Sequence, residues 1–145
     1  MYFILYISSL DKIYTGSELN DMCSIFRKNN EKNNITGFMT CKIRDVMQLI
    51  EGERHDVIEL YKKISTDSRH KRMTKLLSGH SEKRFFPDWK MSFQFINTED
   101  GKFDNTYFSD FLQIENYIDL KTDRRISLLF NSFKNNKIIK FDDNT

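Results

Sequence analysis

The stretch VMQLIEGE, residues 46–53, decides how this sequence is interpreted. Apolar residues surround a glutamine, Gln48, in a short run of the kind that forms a buried strand. A buried side-chain amide costs about 1–3 kcal/mol unless it finds hydrogen-bond partners. The position of Gln48 therefore predicts a polar partner inside the sheet.

The neighbouring segments extend this strand into a sheet. Apolar, β-prone runs at residues 2–8 (YFILYIS) and 35–41 (ITGFMTC) predict two strands before residues 46–51. A weaker run at residues 74–80 (TKLLSGH) predicts a fourth strand, and residues 85–97 (FFPDWKMSFQFIN) predict a fifth that a proline leads into. The polar KIRD between the second and third runs predicts a turn.

Two helices separate these strands. The first begins at a capping box, because Thr15 and Glu18 have the spacing in which each side chain bonds to the other residue's backbone. Its apolar side chains repeat at helical spacing: Leu19, Met22, Cys23 and Phe26. Residues 27–34 (RKNNEKNN) end this helix, since asparagine tolerates turn conformations. The second helix carries a similar stripe: Val57, Ile58, Tyr61 and Ile64.

The order of these elements, β-α-β-β-α-β-β, assigns the chain to the α+β class. It predicts a ferredoxin-like βαββαββ sheet that carries both helices on one face. Between two helices on a sheet lies a slot that suits a flat ligand. Strands one and three are central neighbours in this topology, so we expect Tyr6 and Gln48 to lie side by side beneath the slot.

The character of the sequence changes after residue 97, which predicts a domain at residues 1–97 and a helical extension at residues 98–145. A polar linker, NTEDGKFDN (97–105), precedes two apolar stripes that predict short helices. The stripes are Phe108, Phe111 and Leu112, then Ile126, Leu129, Phe130 and Phe133. They must cover apolar surface, either on the open face of the sheet or on another subunit, so the extension is expected to cap or to oligomerise.

Composition and charge exclude several classes of protein. A chain of 145 residues with 39% hydrophobic and 30% charged residues fits one soluble domain. The net charge of +2 is too small to indicate a nucleic-acid partner, and the basic segment RHKRMTK (69–75) is interpreted as a solvated loop. The sequence has no signal-peptide pattern and no run long enough to span a membrane. Cys23 and Cys41 fit neither a disulfide framework nor a metal site, so a cytoplasmic protein is expected.

Four residues are unusual for a plain core: Tyr6, Asn30, Gln48 and Met91. A phenol and two carboxamides combine donors with acceptors, which suits a planar heterocycle with ring nitrogens and carbonyl groups. Each residue also has an ordinary explanation. A buried tyrosine often bonds to a backbone carbonyl, a strand glutamine can face solvent, an asparagine can end a helix and a methionine can fill a core. Spacing alone leaves both interpretations open.

Five segments together resemble the BLUF family, the blue-light sensors that use flavin. They occur in the family's order and spacing: LYIS (5–8), RKNNEKNNITG (27–37), VMQLIEGE (46–53), STDSRH (65–70) and FPDWKMSF (86–93). The resemblance implies a ferredoxin-like sensor domain that is not an enzyme. It also implies non-covalent binding of FAD, with FMN as the alternative, and an isoalloxazine ring between the two helices.

The resemblance further implies roles for single residues. Tyr6 matches the tyrosine that gives an electron and a proton to the excited flavin, and Gln48 matches the glutamine that bridges tyrosine and flavin. Met91 and Trp89 match the pair on strand five that relays the signal. The other matches are contacts to the pyrimidine edge, to the ring faces, and to the ribityl and phosphate groups: Asn29 and Asn30; Met22 and Ile64; Lys63, Asp67, Arg69 and His70.

The sequence departs from the family pattern in three places. Val46 stands where a phenylalanine is usual, Lys63 where an arginine is frequent, and the hairpin CKIRDV (41–46) lacks the common Tyr/Gly pattern. Two alternative functions therefore remain beside the sensor. One is a flavin-dependent enzyme, although no nucleophile or metal cluster supports it. The other is a degenerate ferredoxin-like interaction module that has no photoactive flavin.

The expected partners follow from the same interpretation. No effector domain is recognisable in the sequence, so the signal is expected to pass to a separate, unidentified protein or through a homo-oligomer. Neither a membrane nor a nucleic acid is expected as a direct partner.

Overall fold

The computed structural model describes residues 1–88 and 122–135, Ile118, and the backbone of residues 92–96 and 103–104. Within these residues the chain forms a sheet and three helices. The elements follow one another as β1 (Tyr2–Leu10), α1 (Gly16–Lys32), β2 (Thr36–Lys42), β3 (Asp45–Gly52), α2 (Arg54–Thr66), β4 (His70–His80), β5 (Ser92–Ile96), β6 (Phe103–Asp104) and α3 (Arg124–Asn135).

The described strands form one sheet in the order β4-β1-β3-β2-β5-β6. β1 pairs antiparallel with both β3 and β4, and β3 pairs antiparallel with β2. β5 runs parallel to β2, and β6 runs antiparallel to β5. The predicted α+β, ferredoxin-like arrangement is confirmed, and β1 and β3 are its central neighbours.

Helices cover both faces of this sheet. One face packs beneath α1 and α2: Ile4, Tyr6, Leu10, Leu19, Cys23, Met39, Ile50 and Val57 share this cluster. The opposite face packs against α3: Phe3, Leu5, Phe38, Met47, Leu49, Ile126, Phe130 and Phe133 share that one. Successive strand residues point to opposite faces, so burial of both faces explains why residues 2–8 form an unbroken apolar run.

The boundaries of α1 follow from its capping residues. Thr15 Oγ1 accepts a hydrogen bond from Glu18 N at 3.1 Å, and Glu18 Oε1 accepts one from Thr15 N at 3.2 Å. The predicted capping box is therefore confirmed. The helix ends at Lys32, and Asn34 follows with a φ of 53°, a left-handed conformation that asparagine adopts more readily than most residues.

Strand β4 begins at His70, earlier than predicted, so the interpretation of residues 69–75 as a solvated loop is wrong from His70 onward. β4 is an edge of the described sheet, and Lys71, Arg72 and Lys75 are exposed although their backbone belongs to the strand. Arg72 has a φ of 54°, and the register with β1 shifts at two points. Such irregularities interrupt the apolar periodicity by which a strand is recognised in a sequence.

The segment after residue 97 differs in part from its prediction. Residues 97–105 were expected to be a linker, yet Phe103–Asp104 forms β6 and pairs with the end of β5. A strand of two residues is too short to leave a periodic pattern. The helix predicted around Phe108, Phe111 and Leu112 lies outside the described residues, whereas the second predicted helix is confirmed as α3.

Helix α3 covers the face of the sheet opposite α1 and α2. The Phe130 ring lies edge-on to Phe38 with 5.8 Å between the ring centroids. At the other end of the contact, Lys42 Nζ donates a hydrogen bond to the Lys134 carbonyl oxygen at 3.0 Å, where a cation complements the helix C-terminus. Within the described residues, α3 thus packs on this face of the sheet, and the choice between capping and oligomerisation stays a prediction. No helix in the described part of the chain has the length and apolar content needed to cross a membrane.

Candidate functional site

The two central strands bring a phenol and an amide together inside the protein. Tyr6 on β1 pairs with Gln48 on β3, and the side chains are 0% and 5% exposed. The Tyr6 hydroxyl donates a hydrogen bond to Gln48 Oε1. The predicted neighbourhood of the two residues is thus confirmed, and the polar partner that the buried amide requires is identified.

The surroundings of Tyr6 keep its hydroxyl protonated. Burial, followed by the nearby Tyr61, raises the pKa of Tyr6 well above its ordinary value. Tyr61 on α2 packs edge-on against the Tyr6 ring, with centroids 5.4 Å apart and planes at 75°. Val46, at the position where a phenylalanine was expected, is fully buried in the apolar cluster that also contains Tyr6. The hydroxyl hydrogen is therefore held on Tyr6 and directed at the amide.

A cavity of about 190 Å³ lies between α1, α2, Gln48 of β3 and the segment that leads from α2 into β4. Its lining is Phe26, Asn29, Asn30, Gln48, Leu60, Lys63, Ile64, Asp67, Arg69 and His70. Eight of these residues were predicted as site residues on the sequence, all but Phe26 and Leu60. Phe26 was assigned to the apolar stripe of α1 and Leu60 was not assigned, although Leu60 lies one helical turn before Ile64.

Two other predicted site residues, Tyr6 and Met22, are not part of this lining. Tyr6 lies against Gln48 rather than in the lining, and Met22 is half-buried against the apolar cluster of that face. Trp89 and Met91 lie outside the described residues. The structure therefore brings together the predicted contacts at residues 29–30 of α1, residues 63–64 of α2, and Asp67, Arg69 and His70. It adds Phe26 and Leu60 to them.

The loop from α2 to β4 carries an ion pair at the cavity. Arg69 Nη2 lies 2.6 Å from Asp67 Oδ2, and Arg69 Nε lies 3.0 Å from Asp67 Oδ1. The hydrogen bond from Arg69 lowers the pKa of Asp67 to about 2. The Arg69 guanidinium also lies 5.5 Å from the centroid of the Phe26 ring. The Arg69 cation thus links the loop to Phe26 of α1, and both residues line the cavity.

A half-buried histidine lies next to this ion pair. His70 Nδ1 lies 2.9 Å from the hydroxyl oxygen of Ser8, which is on the same face of β1 as Tyr6. Burial lowers the pKa of His70, and Arg69 lowers it further, while Asp67 and Asp11 raise it. Burial thus disfavours the charged form of His70, which lines the cavity.

The lining combines three kinds of chemistry. Phe26, Leu60 and Ile64 are apolar, Asn29 and Asn30 are carboxamides, and Lys63 and Arg69 add cations near the end of α2. This set fits a ligand with a flat apolar body, a polar edge and an anionic group. In the described part of the chain no three metal-binding side chains converge. The two cysteines there are buried free thiols, and burial raises the pKa of each to about 12.

Residues 1–92 match the sequence model of BLUF, described as sensors of blue-light using FAD. The photoactivated adenylate cyclase subunit beta of Euglena longa is 31% identical over 80 residues, which are 55% of this chain and 9% of that protein. This chain therefore spans less than a tenth of that curated relative.

Two solved structures resemble the whole described fold. A bacterial light-regulated adenylyl cyclase superposes with a TM-score of 0.66 and 26% identity over 93% of this chain and 34% of that chain. The dark state of BlrB, a BLUF protein, superposes with a TM-score of 0.64 and 20% identity over 93% of this chain and 96% of that chain. The second likeness, at its low identity, shows a shared fold.

Proposed function

Because the chain belongs to the BLUF family of blue-light sensors, we propose that Tyr6 and Gln48 convert absorbed light into a rearranged hydrogen bond. The observation that carries this proposal is the buried hydrogen bond from the Tyr6 hydroxyl to Gln48 Oε1 at the edge of the cavity. The proposed ligand is FAD, and FMN is the alternative.

The residues around the cavity suit a flavin in chemical character. Phe26 and Ile64 offer apolar side chains to the faces of a ring, and Asn29 and Asn30 offer carboxamides to its polar edge. Lys63 and Arg69 are the proposed partners of phosphate, with Asp67 holding Arg69 in place and His70 beside it. A volume of 190 Å³ is below the roughly 300–1,000 Å³ of drug-sized pockets, so only part of FAD would lie inside the cavity.

Tyr6 is the proposed electron donor. A bound flavin would supply the absorption of blue light and the electron acceptor. The phenol is fully protonated in the dark because burial raises its pKa, and its hydroxyl hydrogen already faces Gln48 Oε1. A phenol that has lost an electron becomes strongly acidic, so the proton of Tyr6 passes along the existing hydrogen bond to Gln48.

Gln48 is the proposed switch. An amide has an acceptor end and a donor end, so rotating or tautomerising it exchanges what it presents to the cavity. After Tyr6 recovers its electron and proton, the amide is left in the exchanged arrangement. One or two hydrogen bonds are worth about 1–3 kcal/mol where they are buried, which is enough to bias a two-state element with a gap of similar size.

We assign residues 1–97 to the sensor and residues 98–145 to an extension that caps the sheet and carries the output. Met91 and Trp89, between β4 and β5 in the chain, are the proposed relay. The receiver is an unidentified protein or a further copy of this chain in a homo-oligomer. The packing of α3 on the sheet face supports this route, because a displaced sheet edge would displace α3 as well.

An absorption spectrum of the purified protein in the dark and after blue light tests the proposal. Flavin bands that shift to the red and recover in the dark are expected, and mass analysis of the released ligand distinguishes FAD from FMN. A colourless protein that takes up neither flavin would instead indicate the degenerate interaction module. Bands that bleach with an added substrate would indicate a flavin-dependent enzyme.

A further inference from the structure

A buried acid lies on the strand that carries Gln48. Glu51 is 0% exposed, and it follows Gln48 by three positions on β3, so the two side chains point to opposite faces of the sheet. Removing a carboxylate from water is unfavourable by several kcal/mol unless hydrogen bonds replace its hydration. Such a group requires a structural reason for its position.

Two of the three partners of the Glu51 carboxylate belong to the segment that leads from β4 to β5, and the third is on β2. The backbone N–H groups of Phe85 and Phe86 donate to the Glu51 carboxylate oxygens, both at 2.7 Å. Thr36 Oγ1 on β2 donates to Oε2 at 2.9 Å. All three of these partners are donors, and a carboxylate can accept from them with both of its oxygens. A neutral amide has only one acceptor oxygen, so it cannot accept all three hydrogen bonds in this arrangement.

Arg84 donates further hydrogen bonds to the residues around Glu51. Arg84 Nη1 donates to Thr36 Oγ1 at 2.9 Å and to the Glu51 carbonyl oxygen at 3.3 Å. Its Nη2 donates to the Asn34 carbonyl oxygen at 2.7 Å, at the start of the hairpin arm that contains β2. The segment before β5 is thus attached to both β2 and β3 by side-chain hydrogen bonds.

The anchored segment also contacts the face of the sheet on which α3 packs. The Phe86 ring lies 5.0 Å from the Phe38 ring, and Phe38 in turn contacts Phe130 of α3 at 5.8 Å. Phe85 packs edge-on against Phe3 of β1 at 5.3 Å. The position of this segment therefore fixes the aromatic surface on which α3 lies.

We propose that Glu51 is a positioning residue for the light response. Its carboxylate attaches Phe85 and Phe86 to the strand that carries Gln48. Through Phe86 it also holds the aromatic surface on which α3 packs. This inference rests on the proposed function for its light-dependent part. A movement of β3 at Gln48 is transmitted through the Glu51 carboxylate to Phe85 and Phe86, and from Phe86 to α3. The anchoring hydrogen bonds themselves are observed in the structure and do not depend on the light-dependent part of the inference.

Hydrogen exchange of backbone amides, measured by NMR on the full chain, tests both parts. In the dark and without flavin, Glu51→Gln should accelerate exchange at Phe85 and Phe86 by about ten- to a hundredfold, since hydrogen bonds to a charged group are lost. Exchange at the β1 amides should stay within about threefold of the wild-type rate. Unchanged exchange at Phe85 and Phe86 would overturn the anchoring role, whether or not the protein responds to light.

The light-dependent part is read on the flavin-loaded protein. Glu51→Gln should keep the red shift, because Tyr6 and Gln48 are untouched, but it should lose the light-induced change in exchange at Phe86 and in α3. A change of wild-type size in the variant would overturn the proposed transmission and indicate that the carboxylate serves stability alone. A wild-type protein without any red shift would overturn the proposed function and leave the dark result on anchoring intact.

A second pair of variants covers the case in which Glu51→Gln does not fold. Thr36→Val removes one donor to the carboxylate and keeps the acid, whereas Thr36→Ser keeps the hydroxyl. Faster exchange at Phe85 and Phe86 is expected for Thr36→Val, with wild-type rates for Thr36→Ser. Equal rates in the two variants would contradict the role of this network.

Discussion

Tyr6 and Gln48 face each other across the two central strands, and the tyrosine hydroxyl donates its hydrogen to the amide oxygen Oε1. This contact determines which end of the amide faces Tyr6 in the structure. Oε1 is directed at Tyr6, so Nε2 is the end that points away from the phenol. The proposed switch therefore starts from one hydrogen bond between two buried side chains.

Replacing Gln48 by leucine should separate flavin binding from the light response. Leucine has a similar volume but neither donates nor accepts hydrogen bonds, so flavin is retained and the red shift is lost. The Tyr6 hydroxyl loses its partner in the variant, which should lower the free energy of unfolding by about 1–3 kcal/mol. Absorption spectra before and after blue light measure the first effect, and urea titration measures the second. Met47→Leu, on the opposite face of β3, is the matched control and should keep the red shift; a normal red shift in Gln48→Leu would reject the amide as the switch.

Tyr6→Phe should abolish the light response while leaving the packing of the ring intact. The substitution removes only the hydroxyl, so the edge-on contact with Tyr61 is kept. Without the hydroxyl there is no proton to pass to Gln48 when the electron leaves the ring, and the red-shifted state should not form under blue light. Tyr61→Phe is the control, because it leaves the bond from Tyr6 to Gln48 unchanged and should retain the red shift. Photoactivity that persists in Tyr6→Phe would point to another electron donor.

The sheet could be predicted from the sequence because its strands contain residues of high β-propensity at a fixed spacing. The pairing of Tyr6 with Gln48 followed from topology alone, since β1 and β3 are neighbours in a ferredoxin-like sheet. Lys71 and Arg72 on β4 were misinterpreted because their side chains are solvated while their backbone is paired. Charge reports the environment of a side chain and says little about the hydrogen bonds of its backbone.

Contacts that depend on backbone groups, or on which apolar helix residue lines a cavity, could not be predicted. Glu51 had no assigned role, because its partners Phe85 and Phe86 donate through backbone N–H groups, which leave no trace in residue type. Phe26 and Leu60 lie on apolar helix faces, and helical periodicity alone does not show whether such a residue packs in the core or lines a cavity. The packing of segments that are distant in the sequence decided both cases.

Phe130→Ala tests whether α3 stabilises the sheet. Phe130 is fully buried against Phe38, so its truncation should lower the free energy of unfolding by about 3–5 kcal/mol. Leu128→Ala on the same helix is the control, because Leu128 is 55% exposed and should change stability by about 0.5 kcal/mol or less. Urea titration of both variants measures the difference. Equal stability of the two would contradict a capping role for α3.

Gly37→Ala should be strongly destabilising. Gly37 has a φ of +155°, and a Cβ at this position would lie 1.9 Å from the Leu49 carbonyl oxygen on the paired strand. Relief of that overlap requires β2 and β3 to separate, at a cost of more than about 3 kcal/mol. Gly79→Ala is the control, since its nearest atom would be Phe3 Cε1 at an ordinary 3.7 Å. Thermal unfolding should show a much lower Tm for Gly37→Ala, and equal Tm values for both variants would contradict the close approach of the strands.

His70 should make stability depend on pH below about 6.5. Burial lowers the pKa of His70 in the folded state beneath its ordinary 6.5, so the unfolded chain binds this proton more readily. The contribution of neutral His70 is fully present above pH 6.5 and is lost as the pH falls from there through the lower pKa of the folded state. His70→Gln should flatten this part of the profile of unfolding free energy against pH, measured by urea titration. Ser8→Ala should retain the slope, because burial rather than the contact with the Ser8 hydroxyl is the main cause; a slope that persists in His70→Gln would assign the proton to another group.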